Sequence, residues 1–549
     1  MEDGLGVQFR SLVIACAMVF EMLHASAPGW ADAGALAAGL AGLRSSDFQV
    51  RARSIEQIAE SGEAQAYAAL SALLDGRLYV RQGDEAVVIG SEGSSGFAAV
   101  DALTGADLGT ADKVDFKKVV INNQMRGALR IALARLSLHA PDASARRDAV
   151  DSLFGSLSSE TIDLVREALT SERDEGVRRA MQTALALADI ASPDRDDRRR
   201  AVETLSHSLH AEARTRLAGL LETDAEGKTR ERDPEVVQAA ASALEHIDRM
   251  RAMYGVVETV FFGLSLGFVL VLAGTGLAIT FGVMGVINMA HGELMMLGAY
   301  ATWLVQEAMP GHLEVSLFAA IPFAFVVSAL AGIAIERGVV SFLYGRPLET
   351  LLATFGVSLV LQQGVRTIFS PLNRAVATPA WMSGQLVVNG ALAINYNRLY
   401  IIVFSIAVFL ALVALLRFTR MGLQVRAVAQ NRAMARAMGV RAGWIDAVTF
   451  GLGSGVAGLA GVALSQLTNV GPNLGQSYIV DSFMVVVFGG VGNLWGTLVG
   501  GLSLGIANKF LEPYAGAVLA KILVLIFIIL FIQRRPRGLF PQRGRAAEA

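Results

Sequence analysis

The chain has 549 residues, enough for two or three domains, and a net charge of −2, which excludes bulk electrostatic attraction to nucleic acid. Hydrophobic residues make up 53% and charged residues 17%, a balance that points to a membrane protein. With one cysteine, Cys16, neither an intrachain disulfide framework nor a cysteine-built metal site is possible.

Residues 1–31 read as a secretory signal: Arg10, an apolar run over 12–20, then small residues Gly29 and Ala31 before a cut at Asp32. Glu2 and Asp3 weaken the charged start, and an uncleaved anchor is the other reading. Residues 32–250 are polar and rich in Ala and Leu. Self-comparison shows a repeat, with Arg126 falling on Arg178, Pro141 on Pro193 and Leu153 on Leu205, all at an offset of 52. A third partial copy places 232–247 on 173–188 at an offset of 59. Each unit reads as two amphipathic helices that stack into an α-solenoid resembling HEAT-like repeats. The insertion at 78–108 alternates and carries Gly/Asp turns, so a β-hairpin is expected there. His207 and His210 lie three apart without a surrounding ligand set, and a solvated helix face accounts for them.

Residues 255–535 are apolar. A span needs about 20 apolar residues, and nine stretches qualify as crossings or partial crossings: 257–275, 277–306, 314–335, 347–369, 399–416, 444–468, 479–491, 494–508 and 515–533. The expected fold class is therefore all-α: a polytopic helical membrane domain of about eight to ten segments, preceded by the solenoid with its small β insertion. Short loops rich in arginine stay in the cytoplasm. That places Arg337, Arg346, the 417–441 loop and the 536–549 tail inside, and a secreted amino-terminal region outside. Nine crossings join an outside start to an inside end, and 371–398 then falls outside. Closely spaced glycines such as Gly501/Gly505 predict close helix contacts. Gly453, Gly455 and Gly458 formally match GxGxxG, but inside a span this is no dinucleotide site. The sequence has no GxxxxGK[ST] loop, so ATP binding is not expected of this chain.

Three blocks carry the functional signal. In GLAITFGVMGVINMAHGELMMLGAY (276–300), Asn288, His291 and Glu293 sit among apolar residues, and Gly282, Gly285 and Gly292 are placed to bend or break a helix. Two placements fit: a broken helix at membrane depth, or a cap at the cytoplasmic end. The 417–441 segment holds six arginines and no acidic residue, and reads as a short helix, AVAQNRAMARAM, closed by Gly439. By charge alone it is equally an ordinary cytoplasmic loop. The third block, DSFMVVVFGGVGNLWGTLVGG (481–501), is a glycine-rich pair of apolar segments around Asn493. Together these blocks resemble the permease subunits of ABC importers of the branched-chain amino-acid class. The stretch 346–384 and the long extension look most like the urea-importer branch.

The resemblance implies a subunit without catalytic residues, metal or cofactor, whose ATP hydrolysis resides on other chains. Its expected partners are a second homologous permease, two cytoplasmic ATPases, a periplasmic solute-binding protein, a small-molecule solute and the bilayer. Arg426, Ala427, Gln430, Asn431, Ala435, Met438 and Gly439 carry the ATPase-coupling signature, and a rigid helix over 425–438 would transmit the motion. Urea is neutral and calls for amide-like donors and acceptors. Asn288, Thr354, Ser358, Gln362 and Gln363 are candidates, with His291 and Glu293 beside them. Thr354, Ser358 and Gln362 lie four apart on one helix face, which fits either a solute path or a polar helix seam. Alternatives are a branched-chain amino-acid permease, a passive channel for a small solute, and a membrane-anchored scaffold. A membrane enzyme fits least, since no nucleophile or metal cluster emerges.

Overall fold

The computed structural model describes residues 33–93, 96–111, 113–155, 157–223 and 228–540. The expected signal segment and the end of the tail, with Arg543 and Arg545, lie outside the described residues. Two compact units emerge: one formed by the chain through 208 together with 212–244, the other by 209–211 with 245 onward.

In the first unit, α1 (Ala33–Gly42), α2 (Phe48–Glu60) and α3 (Ala64–Leu74) precede a sheet, and α4 (Asn123–Leu138) to α9 (Ala211–Leu221) follow it. Polar caps start these helices. Asp47, Asn122 and Asp142 each accept a backbone N–H of the first turn, and Ser158 with Thr161 forms a capping box ahead of α6 (Ser159–Ser171). The sequence repeat reappears as a repeated clamp. Arg146, in α5 (Ala143–Leu153), donates to the Ala140 and Pro141 carbonyls and pairs with Glu172 at 2.7 Å. Arg198, in α8 (Arg195–Ser206), donates to Ser192 and Pro193 and pairs with Glu231 at 2.7 Å. Each glutamate also accepts the next two backbone N–H groups, which orders the turn before α7 (Glu175–Asp189) and before α10 (Pro234–Met284). Hydrogen bonds from Arg146 hold the Glu172 carboxyl at about 2, well below its ordinary value.

The insertion is larger than the hairpin expected from sequence. Five antiparallel strands run in the order β4-β3-β2-β1-β5: β1 (Leu78–Arg81), β2 (Val87–Gly93), β3 (Gly96–Asp101), β4 (Asp107–Ala111) and β5 (Phe116–Lys118). Alternation splits the sheet's faces. Leu78 and Val87 join the helical core, while Tyr79, Val88, Phe97 and Phe116 pack together on the other side. Phe116 closes that second cluster, packing 4.8 Å from the Phe97 ring, so the short β5 lies beyond the predicted boundary.

The second unit contains the apolar helices. Among the described residues, six are long and apolar enough to cross a membrane by length and composition: α10, α12 (Leu313–Gly338), α13 (Pro347–Phe369), α14 (Tyr396–Phe418), α17 (Ala442–Ser465) and α19 (Leu494–Arg534). The nine sequence stretches fall on eight of the described helices, two of which lie outside that length and composition limit. Helix α11 (His291–Ala308) carries His291, Glu293, Gln306 and Glu307, and α18 (Leu474–Gly489) has only 16 residues. Helix α19 counts once although it holds two of the predicted stretches. It breaks after Pro513, where Gly516 takes φ 76°, and Phe488 packs on Phe531 while Gly489 abuts Gly496. The two arms therefore run back along each other. The first predicted boundary also moves: α10 continues to Met284, and the chain breaks over 285–290 rather than at 276, with Gly285 at φ 69°.

Glycine permits the close packing expected of these helices. A Cβ on Gly298 would lie 2.2 Å from the Gly458 carbonyl, so α11 and α17 meet backbone to backbone. The predicted outer segment contains a two-stranded hairpin, β6 (Gln385–Asn389) with β7 (Leu392–Asn395).

Candidate functional site

The non-helical segment 285–290 meets the side of α13. The Met289 N–H donates to Thr354 Oγ1 at 3.1 Å, and Thr354 also bonds back to its own helix at Leu351. One turn on, Ser358 Oγ donates to Glu293 Oε1 at 3.1 Å. A further turn on, Gln362 Nε2 donates to the Pro472 carbonyl at 3.3 Å and to Asn473 Oδ1 at 3.2 Å. Arg366 reaches the same Asn473 oxygen at 2.7 Å. Helix α13 is thus polar inward and apolar outward: Leu348, Leu352, Phe355 and Leu359 are exposed on its opposite side. This is the expected inversion for a helix surrounded by lipid or by another membrane chain.

Two helix starts converge here. A Cβ on Gly292 would lie 2.4 Å from the Gly475 carbonyl, so the first turns of α11 and α18 touch. Helix N-termini carry partial positive charge and favour oxygen-rich groups. Within this seam, Asn288 Oδ1 accepts from Ala290 N–H at 3.0 Å, but its Nδ2 is buried without a partner among the described residues, as is Glu293 Oε2. Asn288 and Glu293 are 0% and 2% exposed, too enclosed for bulk water to complete their bonding. The seam therefore offers one amide donor and one carboxyl oxygen, ringed by Ser, Thr, Gln and Asn.

The structure brings Asn288, Glu293, Thr354, Ser358 and Gln362 together. His291 is not part of that group: its Nε2 lies 2.8 Å from the Ala273 carbonyl, toward α10. Gln363 is exposed on the far side of α13. Asn473, Arg366 and Gln476, whose Oε1 accepts from Gln362 Nε2 at 3.5 Å, were missed. The signal was the polar Gly471-Pro472-Asn473 turn between two apolar stretches, which brings its residues back against α13.

The arginine-rich segment departs from the single rigid helix expected. It forms α15 (Arg420–Gln430) and α16 (Arg432–Ala437), broken at Asn431 with φ −148° and ψ 98°. Asn431 Oδ1 accepts the Met434 N–H at 2.9 Å and starts α16 as its cap. Gly439 follows at φ 85°, closing α16 as predicted. Val425, Val428 and Ala435 pack with Ala442 and Ile445 of α17 and with Val283, two residues before Gly285. The arginine-rich segment and the helix break are thus joined through one apolar cluster. Gln430, Met434 and Met438 face outward, Met438 being 78% exposed, while Ala427 is half-buried. Arg426 is tied to the Leu416 carbonyl. A cleft of about 630 Å³ opens beside it, lined by Arg417, Arg426, Asn493 and Trp495 among others.

Residues 259–532 match the family described as the branched-chain amino acid transport system permease component. The chain is 31% identical over 297 residues to the high-affinity branched-chain amino acid transport system permease protein LivH of Escherichia coli strain K12, covering 94% of LivH and 51% of this chain. This chain belongs to that permease family. As a family member it is similar also to BraD, the corresponding permease protein of Pseudomonas aeruginosa, at 29% identity over 97% of BraD and 53% of this chain. The ribose import permease protein RbsC of Escherichia coli strain K12 is 27% identical over 75% of its length and 44% of this chain. No solved structure matches. Family membership and the apolar helices make this permease a multi-pass membrane protein.

Proposed function

We propose that the chain is the translocating permease of an ATP-driven importer whose solute is urea. The observation that carries the substrate is the seam: one unpartnered amide donor and one unpartnered carboxyl oxygen among hydroxyls and amides, with Arg366 at its rim. Urea offers paired N–H donors and one carbonyl acceptor, which such a lining complements without a fixed positive partner at its centre. A second homologous permease covers the apolar outer face of α13, and two cytoplasmic ATPases press on α15 and α16. The arginine-bearing ends lie in the cytoplasm by the positive-inside rule. The HEAT-like solenoid then stands in the periplasm and retains the solute-binding protein.

A second reading is import of branched-chain amino acids. The likeness to LivH and BraD favours it, as does Arg366 within the same polar seam as Glu293, a pair able to meet a zwitterion. Competition separates the two. In cells carrying this chain with its partner subunits and no other urea uptake, labelled urea should accumulate and excess leucine should not compete. Leucine accumulation that urea leaves unaffected would transfer the protein to the amino-acid reading. Deleting 32–250 should weaken uptake at low solute while leaving the complex assembled; unchanged affinity and rate would remove the binding-protein role from the solenoid.

A further inference from the structure

Arg432 stands at the start of α16, where the helix leaves the Asn431 break. Its guanidinium forms two hydrogen bonds to Asp446 of α17, one of 3.0 Å from Nη1 and one from Nη2. The same guanidinium lies 4.0 Å from the centre of the Tyr344 ring, in the turn that leads into α13. The Arg432 side chain is 20% exposed and that of Asp446 only 3%. Glu336, at the end of α12, is equally buried, and its Oε2 lies 3.5 Å from the Nε of its neighbour Arg337. One enclosed cation thus pairs with an enclosed carboxylate and stacks on an aromatic ring, and the three side chains come from three separate segments.

We propose that Arg432 is a positioning residue, a latch that makes α16 move as one body with α17 and with the base of α13. The apolar packing of α15 on Val283 alone could slip, because such contacts are non-directional. A fork-shaped ion pair stacked on an aromatic ring has one geometry. It therefore passes displacement of the coupling segment to α13, which carries Thr354, Ser358 and Gln362. Tyr344, three residues before α13, is the transmitting contact. Arg432 itself touches no solute and no nucleotide.

The proposal rests on the ATP-driven reading, so the test measures coupling in the assembled complex of both permeases, ATPases and binding protein. Arg432→Ala should leave co-purification and ATP turnover near wild type, and lower solute transported per ATP hydrolysed by about tenfold, within the range for a coupling element. Arg432→Lys keeps the charge but not the fork and should fall between. Arg432→Asp combined with Asp446→Arg should restore part of the ratio. An unchanged ratio in an assembled Arg432→Ala complex overturns the latch. If that variant does not assemble, Arg432→Lys decides by the same ratio. If the wild-type complex shows no ATP-dependent uptake, the importer reading falls. The latch is then judged by hydrogen exchange in the full chain: at least about tenfold faster exchange at the α16 amides in Arg432→Ala supports it, and unchanged exchange overturns it.

Discussion

Replacing Glu293 with glutamine separates the two solute readings by magnitude. The glutamine amide can turn so that its Nε2 donates to Ser358 Oγ in place of the present 3.1 Å bond, and the seam retains its shape. Its carbonyl then stands where the second oxygen, now unpartnered in a residue 2% exposed, stood, and accepts without a charge. For urea the loss is the difference between a hydrogen bond to a charged group, about 1.5–3 kcal/mol, and one to a neutral group, about 0.5–1.5 kcal/mol. That difference of about 1 kcal/mol corresponds to roughly a fivefold rise in half-saturating concentration. For an amino acid the ammonium would lose its counter-charge in an enclosed site, at about 3–5 kcal/mol, upwards of about a hundredfold. The assay is the concentration dependence of initial uptake by the assembled complex, with urea and leucine measured in parallel. A hundredfold loss for urea would refute the reasoning that a neutral solute needs no fixed charge. Unchanged uptake of the transported solute would remove Glu293 from the pathway.

Other consequences are structural. Glu172→Gln should lower the stability of the helical repeat by up to about 3 kcal/mol near neutral pH, judged from a carboxyl held at about 2 against an ordinary 4.5. Because that value is depressed on folding, the wild-type advantage is complete above pH about 4.5 and fades as pH falls toward 2; hydrogen exchange of the α6–α7 turn against pH reads both. Gly298→Ala should destabilise the membrane unit by at least about 1–3 kcal/mol, since the new methyl meets the Gly458 backbone rather than a movable side chain. Thermal melting in detergent checks it, and an unchanged midpoint contradicts the α11–α17 contact. Asn431→Ala removes the cap on α16 and should cost about 0.5–2 kcal/mol of local stability, seen as faster exchange at Met434 and Ala435 with α15 unaffected.

Sequence legibility followed the strength of local signals. The break at 285–290 was readable because Gly285 and the polar Asn288 interrupt an otherwise unbroken apolar run, although only the packing could place its start nine residues past Gly276. Thr354, Ser358 and Gln362 share a face by spacing alone, and the structure puts all three into one seam. The division of α15 from α16 was not readable from composition, since AVAQNRAMARAM is dominated by good helix formers and Asn431 is only a mild breaker. Its preference for the cap position was the available clue. Arg432 was hidden in a run of arginines that looked interchangeable, because its partner Asp446 belongs to the next apolar stretch and Tyr344 lies about ninety residues earlier. Pairings across such separations are set by tertiary packing, which sequence periodicity does not encode. The sheet was underestimated for the same reason: β5 is three residues long and gains its place only by pairing with β1.

The most direct measurement of the central claim is urea uptake into proteoliposomes holding the complete complex, with the binding protein outside and nucleotide trapped inside. The account predicts accumulation above the external concentration with ATP, none with a non-hydrolysable analogue, and no competition by leucine. Equilibration of urea without ATP would make the protein a channel and contradict the account.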